Sequence, residues 1–460
     1  MKSIWPIMSS KLILLIALAA CNSRAEKGAA DSSKVRLVTL DPGHFHAALV
    51  QKKMYPDVDS TVFVYAPETP DVQLHLEKIK AYNEQPVDPT RWNEQVYTGS
   101  DFFTKMLEEK KGNVVVLAGN NRQKTEYIKR SVDAGLNVLA DKPMAIDGKS
   151  FKALEAAFET AKKKDLLLYD IMTERYEITT MLQREFSMLP ELFGSLEKGT
   201  PDNPSVTKES THHFYKYVSG KVLTRPAWFM DVTQEGEGIV DVTTHLVDLI
   251  QWECFPDQII RYQNDVKVNS ARRWYTEMTL SQFKSITKQD KFPDYLKKDV
   301  VNDSVLRVYS NGEINYQLKG VHARVSVNWA FQAPEGTGDT HYSIMRGTKA
   351  NLVIRQGAEQ NYKPVLYIEP ASGSISEDVV NAQLAKVQAK YPGISVKKLG
   401  KGWEVVVPEK YKEGHEAHFA RVMEKFLEYL KNKNIPEWEV PNMIAKYYTT
   451  TKGLELARAR

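Results

Sequence analysis

The chain has 460 residues and a mass of 52.4 kDa, a length that can bury a large core and suggests two or three domains. Hydrophobic residues make up 42% and charged residues 26%, which excludes a fully disordered, collagen-like or multi-span membrane protein. The 62 Lys and Arg residues against 58 Asp and Glu leave a formal charge of +4. This small charge argues against nucleic-acid binding, because that function needs a strongly basic surface.

The N-terminal residues are typical of an export signal. Lys2 and Lys11 precede an apolar run over 12–20, which is too short to span a bilayer but suits a signal peptide. The run ends in small residues before Cys21 and resembles a bacterial lipoprotein signal, which implies cleavage before Cys21 and lipidation of its thiol. A plain secretory signal with an incidental cysteine is the alternative. We expect a signal over 1–20, a flexible tether over 21–34, and an envelope protein anchored at Cys21 that faces the periplasm or the exterior.

Residues 35–170 alternate short apolar runs with helical patterns, which predicts a parallel sheet wound by right-handed crossovers. Strands are predicted at 35–41, 61–66, 113–118, 136–140 and 166–170, and helices at 43–54, 100–110, 122–134 and 149–163. The polar segment 67–98 contains four prolines and predicts an insertion with one helix near 71–82.

From residue 171 onward the pattern changes to longer runs that alternate apolar with polar residues. These runs predict an antiparallel sheet of about five to seven strands, with a hairpin turn at Asn311-Gly312. A helix is predicted near 174–189, and two more near 414–432 and 440–450 close the chain. We therefore expect a second domain of the α+β class over 171–460.

The turn after the first strand is where a nucleotide-binding sheet carries a glycine-rich loop, whose backbone N–H groups approach a pyrophosphate. Here the turn contains only Gly43, followed by His44, Phe45 and His46. Glu68, two positions after the second strand, is the acidic residue available for a ribose hydroxyl. By itself this turn is a weak nucleotide signal.

Two later motifs carry stronger signals. Lys142 follows a buried strand within Asp141-Lys142-Pro143, at the strand end where ligands bind in open α/β sheets. Asp241 and His245 are four residues apart, so on a helix they share one face, and a carboxylate tunes the proton transfer of a neighbouring imidazole. Taken singly, the first motif also fits a surface lysine in a turn, and the second also fits a helix packed by a hydrogen-bonded histidine.

Together, the Gly119-Asn120-Asn121 turn, Asp141-Lys142-Pro143 and the pattern from Gly236 to Asp248 resemble the glucose-fructose oxidoreductase / inositol dehydrogenase (Gfo/Idh/MocA) family over about 35–350. The resemblance implies an α/β fold with an N-terminal Rossmann doubly wound parallel sheet, then an α+β domain with a large, mostly antiparallel open sheet. It also implies NAD or NADP, a sugar or cyclitol substrate, and possible homo-oligomers. The usual Glu-Lys-Pro corresponds to Asp141-Lys142-Pro143, and GxGxxG has no intact match.

The family's site residues carry over as follows. The catalytic candidates are Lys142, Asp241 and His245, with His245 as acid or base, Asp241 orienting it and Lys142 stabilising charge on the substrate oxygen. The cofactor-binding candidates are Gly43, His44, Phe45, His46, Glu68, Asn120, Asn121, Asp141, Lys142 and Pro143. The substrate-binding candidates are Arg175, Tyr176, Trp228, Asp241 and His245. No metal site is expected, because His44, His46, His212, His213 and His245 lack a ligand spacing.

Export restricts the cofactor, because free nicotinamide nucleotides are scarce outside the cytoplasm and a bound one must be held tightly. Three functions stay open at this point. The first is an NAD(P)-dependent oxidoreductase acting on a sugar, glycoside or cyclitol. The second is a glycoside hydrolase or lyase that uses NAD for transient oxidation. The third is a non-catalytic carbohydrate-binding lipoprotein on the same fold.

Overall fold

The computed structural model describes Met1, residues 34–218 and residues 221–459. The expected signal peptide and Cys21 lie outside the described residues. Residues Val35–Arg460 form one unit. Among the described helices, none combines the length and the apolar character that a membrane crossing requires.

Short apolar strands and the helices between them build the first sheet. In chain order its elements are β1 (Leu37–Leu40), α1 (His46–Leu49), β2 (Thr61–Ala66), α2 (Pro70–Asn83), β3 (Asn93–Thr98), α3 (Phe102–Glu109), β4 (Val114–Leu117), α4 (Lys124–Asp133), β5 (Asn137–Asp141), α5 (Gly148–Lys163) and β6 (Leu168–Ile171). The six strands are all parallel, in the order β3-β2-β1-β4-β5-β6. β1 and β4 are buried along their whole length, as expected of parallel strands covered on both faces. The predicted Rossmann architecture is confirmed.

Two predictions within this sheet are wrong. The supposed insertion over 67–98 contains the edge strand β3, which the sequence hides because four of its six residues are polar and its side chains are mostly exposed. The helix predicted over 43–54 is reduced to the four residues of α1. Hydrogen bonds from each N–H to the carbonyl three residues earlier, at Ala47, Gln51 and Lys52, turn the chain on both sides of α1 and do not extend it.

The second sheet is mixed and larger than predicted. Its chain continues through α6 (Ile178–Ser187), β7 (Val206–Tyr215), β8 (Tyr217–Val218), β9 (Lys221–Val222), α7 (Thr243–Cys254), α8 (Tyr262–Asp265), β10 (Val266–Thr279), α9 (Leu280–Thr287), β11 (Val300–Val301), β12 (Val305–Leu318), β13 (Val321–Gln332), β14 (Thr340–Arg346), β15 (Ala350–Arg355), β16 (Val365–Pro370), α10 (Glu377–Lys390), β17 (Ser395–Lys398), β18 (Trp403–Val406), α11 (His415–Asn432) and α12 (Glu439–Arg458). The ten described strands follow the order β10-β12-β13-β7-β14-β15-β16-β18-β17, with β11 paired to β12. Only the β13–β7 pairing is parallel, so the expected mostly antiparallel open sheet is confirmed.

The hairpin predicted at Asn311-Gly312 is wrong, because β12 runs straight through it. Gly312 serves close packing: a Cβ there would lie 2.5 Å from Cβ of Ile239. Gly238 contacts the same strand, where a Cβ would lie 1.7 Å from the carbonyl oxygen of Ser310. These two glycines let the segment before α7 lie directly on β12, and that segment carries Asp241 towards the first sheet.

The closing helices belong to both sheets. Phe419, Met423 and Phe426 of α11 pack into the core cluster of the first sheet, although they lie far from it in the sequence. α12 contributes Tyr447 to that cluster and Leu454 to the core of the second sheet. Residues 35–170 and 171–460 therefore supply separate sheets but share their hydrophobic cores.

We predict that Gly238→Ala destabilises the protein by about 1–3 kcal/mol, because the added methyl must displace backbone of β12. The free energy of unfolding, measured by denaturant titration, checks this. Gly148→Ala is the matched control, since a Cβ at the first residue of α5 meets no atom of the described chain within 4 Å. Equal stability of the two variants would contradict the packing role.

Candidate active site

A cavity of about 680 Å³ lies between the carboxyl edge of the first sheet and the second sheet. Titratable side chains of both signs line it, together with Phe229 and Trp329. Seven of the chain's ten histidines are among its lining residues: His44, His46, His212, His245, His341, His415 and His418. This concentration of imidazoles was not predicted, because they come from five separate stretches of the sequence.

Lys142 and Asp241 meet in this cavity. Lys142 follows β5, and its Nζ donates a hydrogen bond to Oδ1 of Asp241 on the segment before α7. Burial acts to lower the pKa of Lys142, but the carboxylates of Asp241 and Asp141 outweigh it and raise that pKa above its usual value. Lys142 is therefore a buried, paired cation at the sheet edge where the sequence placed a substrate-binding lysine.

His245 also lines the cavity, but it does not share a helix with Asp241 as the spacing predicted. α7 begins at Thr243, so His245 lies in its first turn and Asp241 lies before it. Burial, followed by the charge of Lys142, lowers the pKa of His245 to about 4. Its Nδ1 is buried and has no hydrogen-bond partner among the described residues. His245 is thus a neutral imidazole with a ring nitrogen left for a ligand.

Several charged groups of the cavity were missed by sequence reasoning. Glu174 follows β6 at the carboxyl edge, a position that could have been searched. Burial and nearby Asp241 raise the pKa of Glu235 well above its usual value. Asp339 lies 3.1 Å from Nδ1 of His212 and forms an ion pair with Lys216. Asp339 lies just before β14, far along the sequence from His212 and Lys216, which lie on and just after β7. No local spacing therefore predicts their contact.

Arg175 and Tyr176 are not brought to the cavity, contrary to the substrate role predicted for them. The guanidinium of Arg175 is buried and contacts Asp248 at 2.6 Å and Glu439 at 2.9 Å. Tyr176 packs against the core cluster of the first sheet. Neither residue is among the described residues that line the cavity.

The predicted cofactor residues mostly bind to the chain itself. Asn120 donates to Oε1 of Gln234 at 2.7 Å, and Asn121 donates to the backbone carbonyl of Glu235 at 2.7 Å. Glu68 is exposed, and Pro143 is buried after a cis peptide bond with Lys142. The side-chain amides of Asn120 and Asn121, expected to bind a cofactor, therefore hold the segment that leads to Asp241.

Trp228, a predicted substrate-binding residue, covers the turn after β1. Its Nε1 donates to Oδ2 of Asp71 at 2.8 Å, and its ring lies against Gly43, where a Cβ would come within 3.0 Å of Cζ2. On the other side, the N–H of His44 donates to the carbonyl of Ala118 at 3.1 Å. The turn is thus closed between an indole and the end of β4.

His44 and His46 extend from this turn across the end of β4 to β5. Nδ1 of His46 lies 2.9 Å from Oδ2 of Asp141, and Nδ1 of His44 lies 3.8 Å from the same oxygen. Phe45 packs its ring against both imidazoles, with centroids 4.7 and 4.4 Å away. Asp141, expected to contact a cofactor, instead contacts histidine side chains of this chain.

Comparison with known proteins identifies the family. Residues 23–170 match the sequence model described as "Oxidoreductase family, NAD-binding Rossmann fold", and residues 182–458 match "Putative oxidoreductase C terminal domain". The chain belongs to the Gfo/Idh/MocA family of NAD-binding oxidoreductases. A crystal structure of a "putative oxidoreductase" from Parabacteroides merdae is 57% identical, with a TM-score of 0.91 over 93% of this chain and 98% of that one.

More distant Gfo/Idh/MocA structures share the fold. Levoglucosan dehydrogenase in complex with NADH and levoglucosan is 12% identical, with a TM-score of 0.57 over 93% of this chain and 98% of that chain. A 3-ketoreductase from Actinomadura kijaniata in complex with TDP-benzene and NADP is 14% identical, with a TM-score of 0.54 over 92% and 98%. No protein with a curated description matches the chain.

The residues of this chain do not fit a dinucleotide laid across the first turn. A Rossmann cofactor places its pyrophosphate between the ends of β1 and β4, against glycine N–H groups at the start of a helix. Here His44 and His46 cross that place, Trp228 covers Gly43, and α1 has only four residues. The imidazoles and the indole occupy the strand ends, and a second cavity of about 490 Å³ lies beside the turn, lined in part by Gly43, His44 and Phe45.

We predict that Arg175→Met destabilises the protein by about 3–5 kcal/mol, because it leaves Glu439 buried without its cationic partner and removes one of the two cations paired with Asp248. Thermal unfolding followed by circular dichroism checks this. Arg421→Met is the control, since Arg421 is 49% exposed and pairs with Glu413 at the surface, where loss of a pair costs about 1 kcal/mol or less. A stable Arg175→Met variant would indicate a role other than structural pairing.

Proposed function

We propose that the cavity is the active site of an oxidoreductase-family enzyme acting on a hydroxyl or keto carbon of a sugar, glycoside or cyclitol. The observation that carries the proposal is the meeting of the cationic Lys142 with the neutral His245 in one enclosed space. Chemistry at such a carbon needs a proton acceptor and a positive group that stabilises the developing oxyanion. The two side chains supply these functions.

In the proposed mechanism Lys142 binds the reacting oxygen and Asp241 holds the ammonium group in place. His245 takes or returns the proton through its unpaired ring nitrogen. Glu235 lines the same cavity, where its carboxyl group can form a hydrogen bond with a further hydroxyl group of the substrate. These roles follow from charge and protonation state. The ammonium group of Lys142 stabilises a negatively charged substrate oxygen, and the neutral imidazole of His245 accepts the proton of a hydroxyl group.

The cavity lining supports a carbohydrate as the substrate. Arg225, Lys216 and Asp339 offer donors and an acceptor for hydroxyl groups, and Phe229 and Trp329 offer apolar ring surface. The volume of about 680 Å³ lies within the range of sites for small organic ligands. Among the compared structures, one is a dehydrogenase in complex with levoglucosan and another is a 3-ketoreductase.

This proposal has two forms. In the first, a tightly held NAD or NADP, which the family implies, carries the hydride. The two imidazoles of the first turn favour a second form, in which His245 takes a proton beside a sugar carbonyl and Lys142 stabilises the enolate oxygen. The glycosidic C–O bond then breaks, and the protonated His245 returns the proton to the leaving oxygen. Mass spectrometry of small molecules released from the denatured, natively purified protein separates the two. Stoichiometric nicotinamide dinucleotide supports the first form, and a dinucleotide-free protein that cleaves a keto-glycoside supports the second.

A third outcome of this experiment contradicts both forms. A protein that holds no dinucleotide, binds none when NAD and NADP are added, and turns over neither alcohol nor keto-glycoside substrates would leave only carbohydrate binding. Isothermal titration calorimetry with the same sugars would then measure that binding.

We predict that Lys142→Met lowers kcat/KM by about 10²- to 10³-fold on any substrate that the screen identifies, because a donor to the oxyanion is lost. Steady-state kinetics of both purified proteins measures this. Lys53→Met serves as the control, since Lys53 is an exposed lysine paired with Glu424 at the surface. An unchanged kcat/KM in Lys142→Met would contradict the assigned role.

We predict that the acidic limb of the kcat/KM–pH profile lies near pH 4. The pKa of His245 is lowered to about 4, so the imidazole stays neutral, and able to accept a proton, until the pH falls to that value. A limb near 6.5, the value of an ordinary histidine, would show that another group acts as the base. The profile is compared with that of His245→Gln, which should lose this limb.

We also propose that the protein is a lipoprotein anchored at Cys21, which the small residues before that cysteine support. Cys21→Ala should move the protein from the membrane fraction to the soluble fraction of its cells. Cys254→Ala is the matched control, since Cys254 is the other cysteine of the chain. Unchanged membrane association of Cys21→Ala would contradict the anchor.

A further inference from the structure

Three potential metal ligands converge where the first turn meets the end of β5. Nδ1 of His46 and Nδ1 of His44 lie 2.9 and 3.8 Å from the same carboxylate oxygen of Asp141. One ligand atom from each of the three residues lies within 4.8 Å of the other two. Ligands bound at about 2.0–2.1 Å from a zinc-like ion are separated by about 3.0–3.4 Å. Small side-chain rotations would therefore bring all three atoms to bonding distance.

The ligand types suit a cation. A neutral imidazole nitrogen and a carboxylate oxygen are the forms that bind metals. Lys142, the nearest cation along the chain, is paired with Asp241, which leaves the carboxylate of Asp141 to the two histidines.

A simple hydrogen bond between His46 and Asp141 accounts for only part of this arrangement. It needs one imidazole, whereas two converge on one oxygen. Within the part of the chain that the structure describes, Nδ1 of His44 has, besides Asp141, only a long 3.4 Å contact with the N–H of His46. An ion would satisfy both ring nitrogens and the carboxylate together.

The surroundings resemble the support that metal ligands need. Nζ of Lys124 donates to the backbone carbonyl of Asp141 at 3.0 Å and holds the end of β5. Phe229 and Phe419 pack against the two imidazole rings, with centroids 6.3 Å from His44 and 4.6 Å from His46. Groups of this kind around the ligands fix ring orientation and limit access of water.

We propose that His44, His46 and Asp141 bind a divalent first-row transition-metal ion of the zinc, manganese or iron class. Two imidazoles and one carboxylate leave coordination positions open for a ligand. His44 and His46 line the same cavity as Lys142 and His245, so an open position would face the substrate. The ion would lie where the family's dinucleotide pyrophosphate otherwise lies, and the proposal replaces the expectation of no metal site.

Metal content and cobalt binding test the proposal. The full-length protein is purified without chelator, and its metals are measured by inductively coupled plasma mass spectrometry. It is then stripped with a chelator and titrated with Co²⁺, whose visible absorption reports the bound ion. We expect one ion per chain in both experiments, and affinity lowered roughly 100-fold or more in His46→Asn and Asp141→Asn, beyond the 10- to 100-fold effect of losing a supporting residue.

His75→Asn is the matched control. His75 is a buried histidine on α2, and neither of its ring nitrogens has a hydrogen-bond partner among the described residues. It should bind Co²⁺ as the unchanged protein does. Equal binding by all variants, or no binding of Co²⁺ or Zn²⁺ by the unchanged protein, would overturn the proposal.

A second measurement does not depend on whether the variants fold. Pulsed electron paramagnetic resonance of the unchanged protein loaded with one equivalent of Cu²⁺ should show the nitrogen modulation of two imidazoles. A spectrum without imidazole nitrogen would contradict the site. Neither measurement uses a substrate, so failure of the metal site and failure of the proposed function are distinguishable.

Discussion

Asp248 holds the two sheets together from the middle of the molecule. Its carboxylate binds Arg175 after β6 and Lys446 of α12, at 2.6 and 2.8 Å. Lys446 also binds Asp170 of β6 at 2.7 Å, and Arg175 binds Glu439 at the start of α12. Every member of this network is buried, and each charge has an opposite partner. Loss of one member would leave a charge without compensation, so the network orients β6, α7 and α12 as a group.

The position of His245 in the cavity depends on how this network orients α7. α7 carries His245 at its start and Asp248 one turn later, so the network that anchors the helix also sets the position of the imidazole. The glycines at 238 and 312 then bring the preceding segment onto β12, and Asp241 reaches Lys142 at the end of β5. The Lys142–Asp241 pair is therefore formed by one side chain from each sheet's region. Neither half of the chain contains it alone.

The first turn shows how a family fold can keep its strands while changing its binding chemistry. The strand order and the lysine at the end of β5 agree with the Gfo/Idh/MocA family, whereas the turn after β1 carries two imidazoles where glycines would leave room for phosphate. Imidazoles add volume and ring nitrogens at a turn where a pyrophosphate would contact glycine N–H groups. In this chain His46 contacts Asp141, and Trp228 donates to Asp71.

The sequence by itself determined the elements whose signal is local. Apolar runs such as VVVL in β4 predict buried parallel strands, and Asp141-Lys142-Pro143 with the Asp241–His245 spacing identifies the family and three cavity residues. Tertiary structure decided whatever depends on distant partners. β3 is a strand only because β2 pairs with it. Gly312 packs against Ile239 and makes no turn. The guanidinium of Arg175 is fully paired with Asp248 and Glu439. The seven cavity histidines likewise come together from five stretches of chain. Their meeting is set by long-range packing, for which periodicity and local spacing carry no signal.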